Sequence, residues 1–123
     1  CIRDSDACEL ICQNRAKFAV QNLHLTQGLA PEALADWPAP DAVFIGGSKG
    51  NLRAIVDAAL TANPAARLCI SAIALETLQQ AVAALTAHGL TAQVTQIAVS
   101  RSRAAGSLHL LMANNPVFLI ARE

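Results

Sequence analysis

The order of apolar and polar residues along this chain alternates between two periods. Asp41-Ala42-Val43-Phe44-Ile45 is a nearly continuous apolar run, opened by Asp and closed by Gly46-Gly47. Arg67 to Ala74 (RLCISAIA) repeats the pattern. Runs apolar on both faces predict buried parallel strands. Between them, Leu52, Ile55, Val56 and Ala59 recur at helical spacing from Asn51 to Asn63, and Pro64 closes the segment. Leu75, Leu78, Val82 and Leu85 do the same around a predicted helix from Glu76 to His88, with Gly89 as its cap. Upstream, Asp4-Ser5-Asp6 offers a helix start, and a helix to about Phe18 follows. Leu23-His24-Leu25-Thr26-Gln27 alternates and ends at Gly28, which predicts a short strand. Ala30-Pro31-Glu32-Ala33-Leu34 reads as one helical turn. Downstream, Thr91 to Ser100 alternates as a long strand would, and the polar segment Arg101 to Ser107 interrupts it. Leu108 to Met112 and Pro116 to Ile120 are then expected to pair, joined by Ala113-Asn114-Asn115.

Strands alternating with helices predict an α/β fold with a parallel sheet covered on both faces. Three closing strands predict an antiparallel addition at one edge.

Composition narrows the class. The 123 residues suffice for one domain, and 54% apolar against 15% charged residues exclude disorder. No apolar run reaches the ~20 residues that cross a bilayer, so no membrane association is expected. The formal net charge is zero and aromatics are 3%, which argue against nucleic-acid binding. Of the four cysteines, Cys8 and Cys12 are four apart on a predicted helix, yet no further ligand completes a set. No metal is expected, and the thiols read as small apolar fillers in a reducing cytoplasm. The first residue is Cys rather than Met, so the chain is expected to be cut or processed.

In an open α/β sheet, ligands bind beyond the carboxyl ends of the strands. Three such ends stand out: Ile2-Arg3-Asp4, Gln27-Gly28-Leu29-Ala30, and Ile45-Gly46-Gly47-Ser48-Lys49-Gly50-Asn51. In the last, Gly46 and Gly47 allow a sharp turn and close approach of a ligand, and a helix start follows. A plain strand-to-helix turn explains the same residues equally well. Arg101 and Arg103 flank a break between strands; arginine suits planar carboxylates, and a solvated loop is the simpler account. Glu76 reads as a helix-start residue, His88 as a helix-end residue, and His24 as filler.

Taken together and in order, these segments resemble a known family. Asp41-Ala42-Val43-Phe44-Ile45-Gly46-Gly47-Ser48 resembles its fourth strand and loop. Gln27-Gly28-Leu29-Ala30-Pro31-Glu32-Ala33-Leu34 is similar to its G-x-A-P-E-A-L segment, and Ala72-Ile73-Ala74-Leu75-Glu76-Thr77-Leu78 to its A-x-x-L-E-T segment. Ser100-Arg101-Ser102-Arg103, Gly106 and Asn115-Pro116-Val117 match its C-terminal third. The family is the decarboxylating precorrin-6Y C-methyltransferases of cobalamin synthesis. The resemblance implies a class I, Rossmann-like methyltransferase fold with antiparallel C-terminal strands. It implies S-adenosylmethionine as cofactor and a tetrapyrrole as substrate, methylated on a ring carbon and decarboxylated at an acetate side chain. It places Asp4, Gly28, Leu29, Ala30 and Gly46 near the cofactor, Gly47 and Ser48 near the transferred methyl, and Lys49, Arg101 and Arg103 near substrate carboxylates. A first strand and a G-x-G-x-G loop are expected to be missing upstream, leaving one partial methyltransferase domain. Relatives occur as tetramers or fused to a second methyltransferase domain, so a homo-oligomer or a fusion is expected. Rival readings are a class I methyltransferase with another small-molecule acceptor, and a non-catalytic remnant that serves in assembly.

Overall fold

The computed structural model describes residues 5–48 and 50–122, in two compact units that divide after Ala39. The first unit holds α1 (Ser5–Lys17) and a short 3-10 turn, η1 (Glu32–Leu34). Asp6 in the first turn of α1 and Arg15 and Lys17 in its last complement the helix dipole. Val20 N–H donates to Arg15 C=O at 3.0 Å and Ala19 takes φ +52°, so α1 closes in a left-handed residue that lacks glycine. Leu23 to Thr26 do not form the expected strand; only Gln27 makes an isolated bridge. Alternation marks the face a strand would bury, but a hydrogen-bonded neighbour makes it a strand, and the described part of this unit supplies none.

The second unit contains β1 (Ala42–Ile45), α2 (Leu52–Ala62), β2 (Arg67–Ala72), α3 (Leu75–Ala87), β3 (Ala92–Ile97), β4 (Ser100–Ala105), β5 (Leu108–Ala113) and β6 (Val117–Arg122). Its main sheet has the order β1-β2-β6-β3. β1 and β2 are parallel, and β6 is antiparallel to both β2 and β3. The expected all-parallel body is therefore limited to one pair. β1, β2 and β3 still run in one direction because helices connect them. β6 is reached through a tight ribbon with no crossover helix, and so it must run back. Ile45, Ile70 and Ile120 stand side by side in the register, and all three are buried. With Leu68 and Ala72 they form the sheet's share of the core. α3 packs on β2, β6 and β3 through Ala81, Ala84 and Leu85, and α2 packs on α3. Right-handed crossovers in the same sense put both helices on one face.

Helix ends obey the sequence closely. Gly89 takes φ +70°, Leu90 N–H donates to Leu85 C=O at 3.1 Å, and Gly89 N–H donates to Thr86 C=O at 2.9 Å. This left-handed cap satisfies the last carbonyls of α3, as its position predicts. Asn63, after α2, donates its side-chain amide to Pro40 C=O at 2.8 Å and accepts from Ala65 N–H at 2.9 Å. Arg122 on β6 donates to Pro64 C=O at 2.6 Å and to Ala66 C=O at 2.9 Å, which ties the α2–β2 turn to the sheet.

Three expectations for the C-terminal third are overturned. Thr91 to Ser100 is not one long strand: β3 ends at Ile97, and Ser100 already belongs to β4 in the other sheet. The polar stretch Arg101 to Ser107 is not an interruption: most of it is β4, joined to β5 by a Gly106-Ser107 turn with φ +63° at the glycine. Leu108 to Met112 does not pair with Pro116 to Ile120. β5 pairs with β4 in a separate two-stranded sheet, while β6 inserts into the main one. Polarity misled here because β4 is exposed along its whole length and has no apolar face to announce.

Candidate active site

Because β1, β2 and β3 share a direction, their carboxyl ends lie along one edge of the sheet. That edge carries the Gly46-Gly47-Ser48 turn, the Ile73–Ala74 connection and the base of the β4–β5 ribbon. β1 and β3 are three strand spacings apart, about 14 Å at ~4.8 Å each.

The turn after β1 is bare. Gly46 and Gly47 are exposed, and a Cβ at Gly47 would meet nothing within 4 Å. Asn51 N–H donates to Ser48 C=O at 2.9 Å, and Gly50 at φ +95° reverses the chain into α2. Ser48 is half-buried. At Gly47 the backbone is thus open to a ligand with no side chain in the way. Phe44 stands beside it, 66% exposed, its ring 3.4 Å from where a Gly46 Cβ would sit. Phe44 was expected inside a strand buried on both faces. In fact β1 is paired on one side only within the described sheet, and of its four residues Ile45 alone is buried. Ile73 and Leu75, after β2, are each 68% exposed. These three exposed apolar residues border the carboxyl edge of the sheet and were not among the expected site residues. In a chain with so few aromatics, the phenylalanine two residues before the glycine pair was the available signal.

Arg101 and Arg103 project from one face of β4, since residues two apart share a face. Met112 and Leu110 lie directly opposite them, and Ala105 and Leu108 complete that face. A shallow depression there is lined by Arg103, Ala104, Ala105, Leu110 and Met112. Among the described residues neither arginine side chain has an ion-pair partner. The ribbon leaves the same sheet edge as the glycine turn, so the two sequence candidates emerge on one side of the unit.

Gly28, Leu29 and Ala30 belong to the first unit. A Cβ on Gly28 would stand 2.6 Å from the Ala33 Cβ, so any other residue there forces the loop and Ala33 apart. Ala33 N–H donates to Leu29 C=O at 2.8 Å, and Trp37 donates its indole N–H to Thr26 Oγ1 at 3.1 Å. These contacts hold the loop in a defined shape with Leu29 exposed. Asp4 and Lys49, the other expected ligands, lie outside the described residues.

The sequence profile described as a precorrin methyltransferase domain matches residues 2–122. The chain belongs to the precorrin methyltransferase domain family. It is 36% identical over 121 residues to the cobalt-precorrin-6B C(15)-methyltransferase (decarboxylating) of Salmonella typhimurium, covering 97% of this chain and 62% of that protein. The solved precorrin-6Y C5,15-methyltransferase of Geobacter metallireducens superposes with a TM-score of 0.88 at 34% identity, over 98% of this chain and 63% of that one. The precorrin 8W decarboxylase of Methanobacterium thermoautotrophicum gives 0.89 at 31%, over 98% and 66%. The chain thus spans 60–64% of the length of the first curated relatives it matches. With the precorrin-6Y C5,15-methyltransferase as a structural neighbour, the class I methyltransferase architecture expected from the motifs holds.

Proposed function

We propose that this chain is the cofactor-facing and substrate-facing part of a methyltransferase domain. In that reading it serves S-adenosylmethionine-dependent methylation of a precorrin ring carbon, coupled to loss of an acetate carboxyl group. The observation that carries the reading is the bare Gly46-Gly47-Ser48 turn at the same sheet edge as an arginine-bearing ribbon. Family membership supports it.

The residues present suit the cofactor. Gly28 packs so tightly on Ala33 that it fixes the loop whose exposed Leu29 would face the adenine. Gly46 offers its backbone beside the exposed Phe44 ring. When bound, S-adenosylmethionine supplies an electrophilic methyl group on a sulfonium. Gly47 and Ser48 would border the place where the acceptor carbon comes in, and their task is alignment and exclusion of water. Asp4 and Lys49 keep their expected roles toward ribose and substrate. Arg101 and Arg103 would hold peripheral carboxylates, and the apolar Leu108, Leu110 and Met112 beside them suit the macrocycle's ring face. In the decarboxylation, the bond to the leaving carboxyl carbon breaks and its electron pair enters the macrocycle, so no side-chain nucleophile is needed. In this reading the protein would work in the cytoplasm, as a homo-oligomer or fused to a second methyltransferase domain.

Calorimetry with S-adenosylhomocysteine on the purified protein tests the cofactor half, and absence of binding sinks it. Replacing both Arg101 and Arg103 by alanine should weaken precorrin binding roughly fivefold per arginine, from ~1 kcal/mol for each exposed pair. S-adenosylhomocysteine affinity should stay the same. Unchanged precorrin affinity would remove the arginines from the site.

A further inference from the structure

The reaction proposed above moves a proton as well as a methyl group and a carboxyl group. On the ring carbon a C–H bond gives way to a C–CH3 bond, so a proton leaves. On the side chain a CH2–carboxylate becomes a CH3 group, so a proton enters. The two cancel overall, yet a proton must be lifted from one carbon and set on another. A positioned carboxylate or imidazole speeds such transfers by roughly 100- to 10,000-fold. The second unit has few candidates. Among its described residues the carboxylates are Asp41, Asp57 and Glu76. Asp41 precedes β1, at the amino edge of the sheet. Asp57 is taken up by Arg53 and His88. His88 closes α3 toward that same amino edge. His109 stands opposite Ala104 on the ribbon, on the face away from Arg101 and Arg103. Of these groups, Glu76 is the one at the carboxyl edge.

We infer that the Glu76 carboxylate is the proton carrier of the reaction, taking the proton from the methylated ring carbon and returning it to the side-chain carbon that loses carbon dioxide. The inference rests on the methyltransferase reading and adds a catalytic residue to its site. Glu76 lies in the first turn of α3, just past the Ile73–Ala74 connection that follows β2. β2 is one strand spacing from β1 and two from β3, about 5 Å from the strand that feeds the glycine turn and about 10 Å from the strand that leads into the ribbon. Glu76 is exposed, and the exposed Ile73 and Leu75 next to it give a flat macrocycle apolar surface to rest on. Among the described residues no hydrogen bond or ion pair occupies the Glu76 carboxylate, and no side chain caps the helix start. The electrons balance. As a π pair of the ring forms the bond to the methyl carbon, the C–S pair stays with the departing sulfur. The ring C–H bond then breaks, its pair returns to the macrocycle, and the proton passes to a Glu76 Oε. As carbon dioxide leaves, the pair of the broken C–C bond enters the macrocycle and is drawn back to the side-chain carbon, where it takes the proton from Glu76. The carboxylate is regenerated, and no oxidant, reductant or outside acid takes part.

Turnover of a purified precorrin by Glu76→Gln tests the assignment, since glutamine keeps the shape of the side chain and cannot carry the proton. kcat should fall at least about 100-fold. KM for the precorrin, and S-adenosylhomocysteine affinity by calorimetry, should stay within about twofold, because the lost interaction belongs to the transition state. Glu76→Asp keeps a carboxylate one methylene shorter and should turn over at least about tenfold faster than Glu76→Gln. Added formate should restore turnover to Glu76→Ala, where it can enter the space left by the side chain, and should leave Glu76→Gln unchanged. A residue that only steadied the start of α3 would respond to neither. A kcat for Glu76→Gln within about threefold of the unaltered protein, or a raised KM at unchanged kcat, would overturn the assignment and leave the methyltransferase reading standing. Failure of formate to restore Glu76→Ala would do the same. Absence of turnover in the unaltered protein would overturn the methyltransferase reading and the assignment with it.

Discussion

Replacing Gly28 by alanine tests whether the loop before η1 is built by close packing. The new Cβ would stand 2.6 Å from the Ala33 Cβ, whereas carbon atoms rest at about 3.5–4.0 Å. The two must therefore separate by about 1 Å. Neither can swing aside, because each Cβ is fixed to the backbone, so the loop and η1 must move apart. Overpacking of this kind costs about 1–3 kcal/mol. The first unit's Trp37–Thr26 hydrogen bond closes the same stretch and resists the shift. The expected result is a lower midpoint in urea with an unchanged slope, and weaker S-adenosylhomocysteine binding by calorimetry. Ala33→Gly removes the atom that is struck and by itself costs up to about 1 kcal/mol for lost backbone restriction. In the double variant the overpacking disappears, so the two changes should be non-additive by about 1 kcal/mol or more. If Gly28→Ala alone melts like the unaltered protein, or if the two changes simply add, the contact does not shape the loop.

Ile120 is fully buried in the strand between β2 and β3, so Ile120→Ala should cost about 2–5 kcal/mol in chemical denaturation, and a cost below 1 kcal/mol would show that the sheet core is placed wrongly. The two left-handed helix ends predict opposite signs: Gly89→Ala should destabilise by about 1–2 kcal/mol, while Ala19→Gly should stabilise by up to about 1 kcal/mol, both read from thermal melts. Equal effects at the two positions would contradict the cap geometry. Asp57 accepts from His88 at 2.6 Å and from Arg53 at 2.8 Å, and the hydrogen bond from His88, followed by that from Arg53, holds its carboxyl below the usual value of 3.8. A depressed carboxyl contributes stability above its unfolded value, and that contribution is lost as pH falls through the lower folded value. Melts from pH 5 down to pH 2.5 should therefore fall less steeply in Asp57→Asn, by under about 1 kcal/mol because the pair is in contact with water. Parallel curves would rule the contact out as an acid-sensitive link between α2 and α3.

Local features were legible from the residues alone. Gly89 as a helix cap, Pro64 as a stop, the helices from Leu52 and Leu75, and the glycine turn after Ile45 all stand where the sequence puts them. Each depends on φ preferences, side-chain period or a missing N–H, and these belong to a few neighbouring residues. The family motifs were legible for the same reason, being short and in order. What the residues alone could not decide was partnership. Arg101 to Ala105 is a strand because β5 lies beside it, and nothing apolar in it says so. Leu108 to Met112 looked like a partner for Pro116 to Ile120, yet β6 pairs with β2, 45 or more positions away along the chain. Leu23 to Thr26 alternates correctly and still is no strand, for want of a described neighbour. Phe44 reads as core and stands in the open beside Gly46 because β1 is paired on one side only. Asp57 and His88 meet across 31 positions because α2 and α3 lie together. Period and capping are properties of the local chain, whereas pairing and exposure depend on which distant segment arrives alongside, and only the tertiary structure decides that.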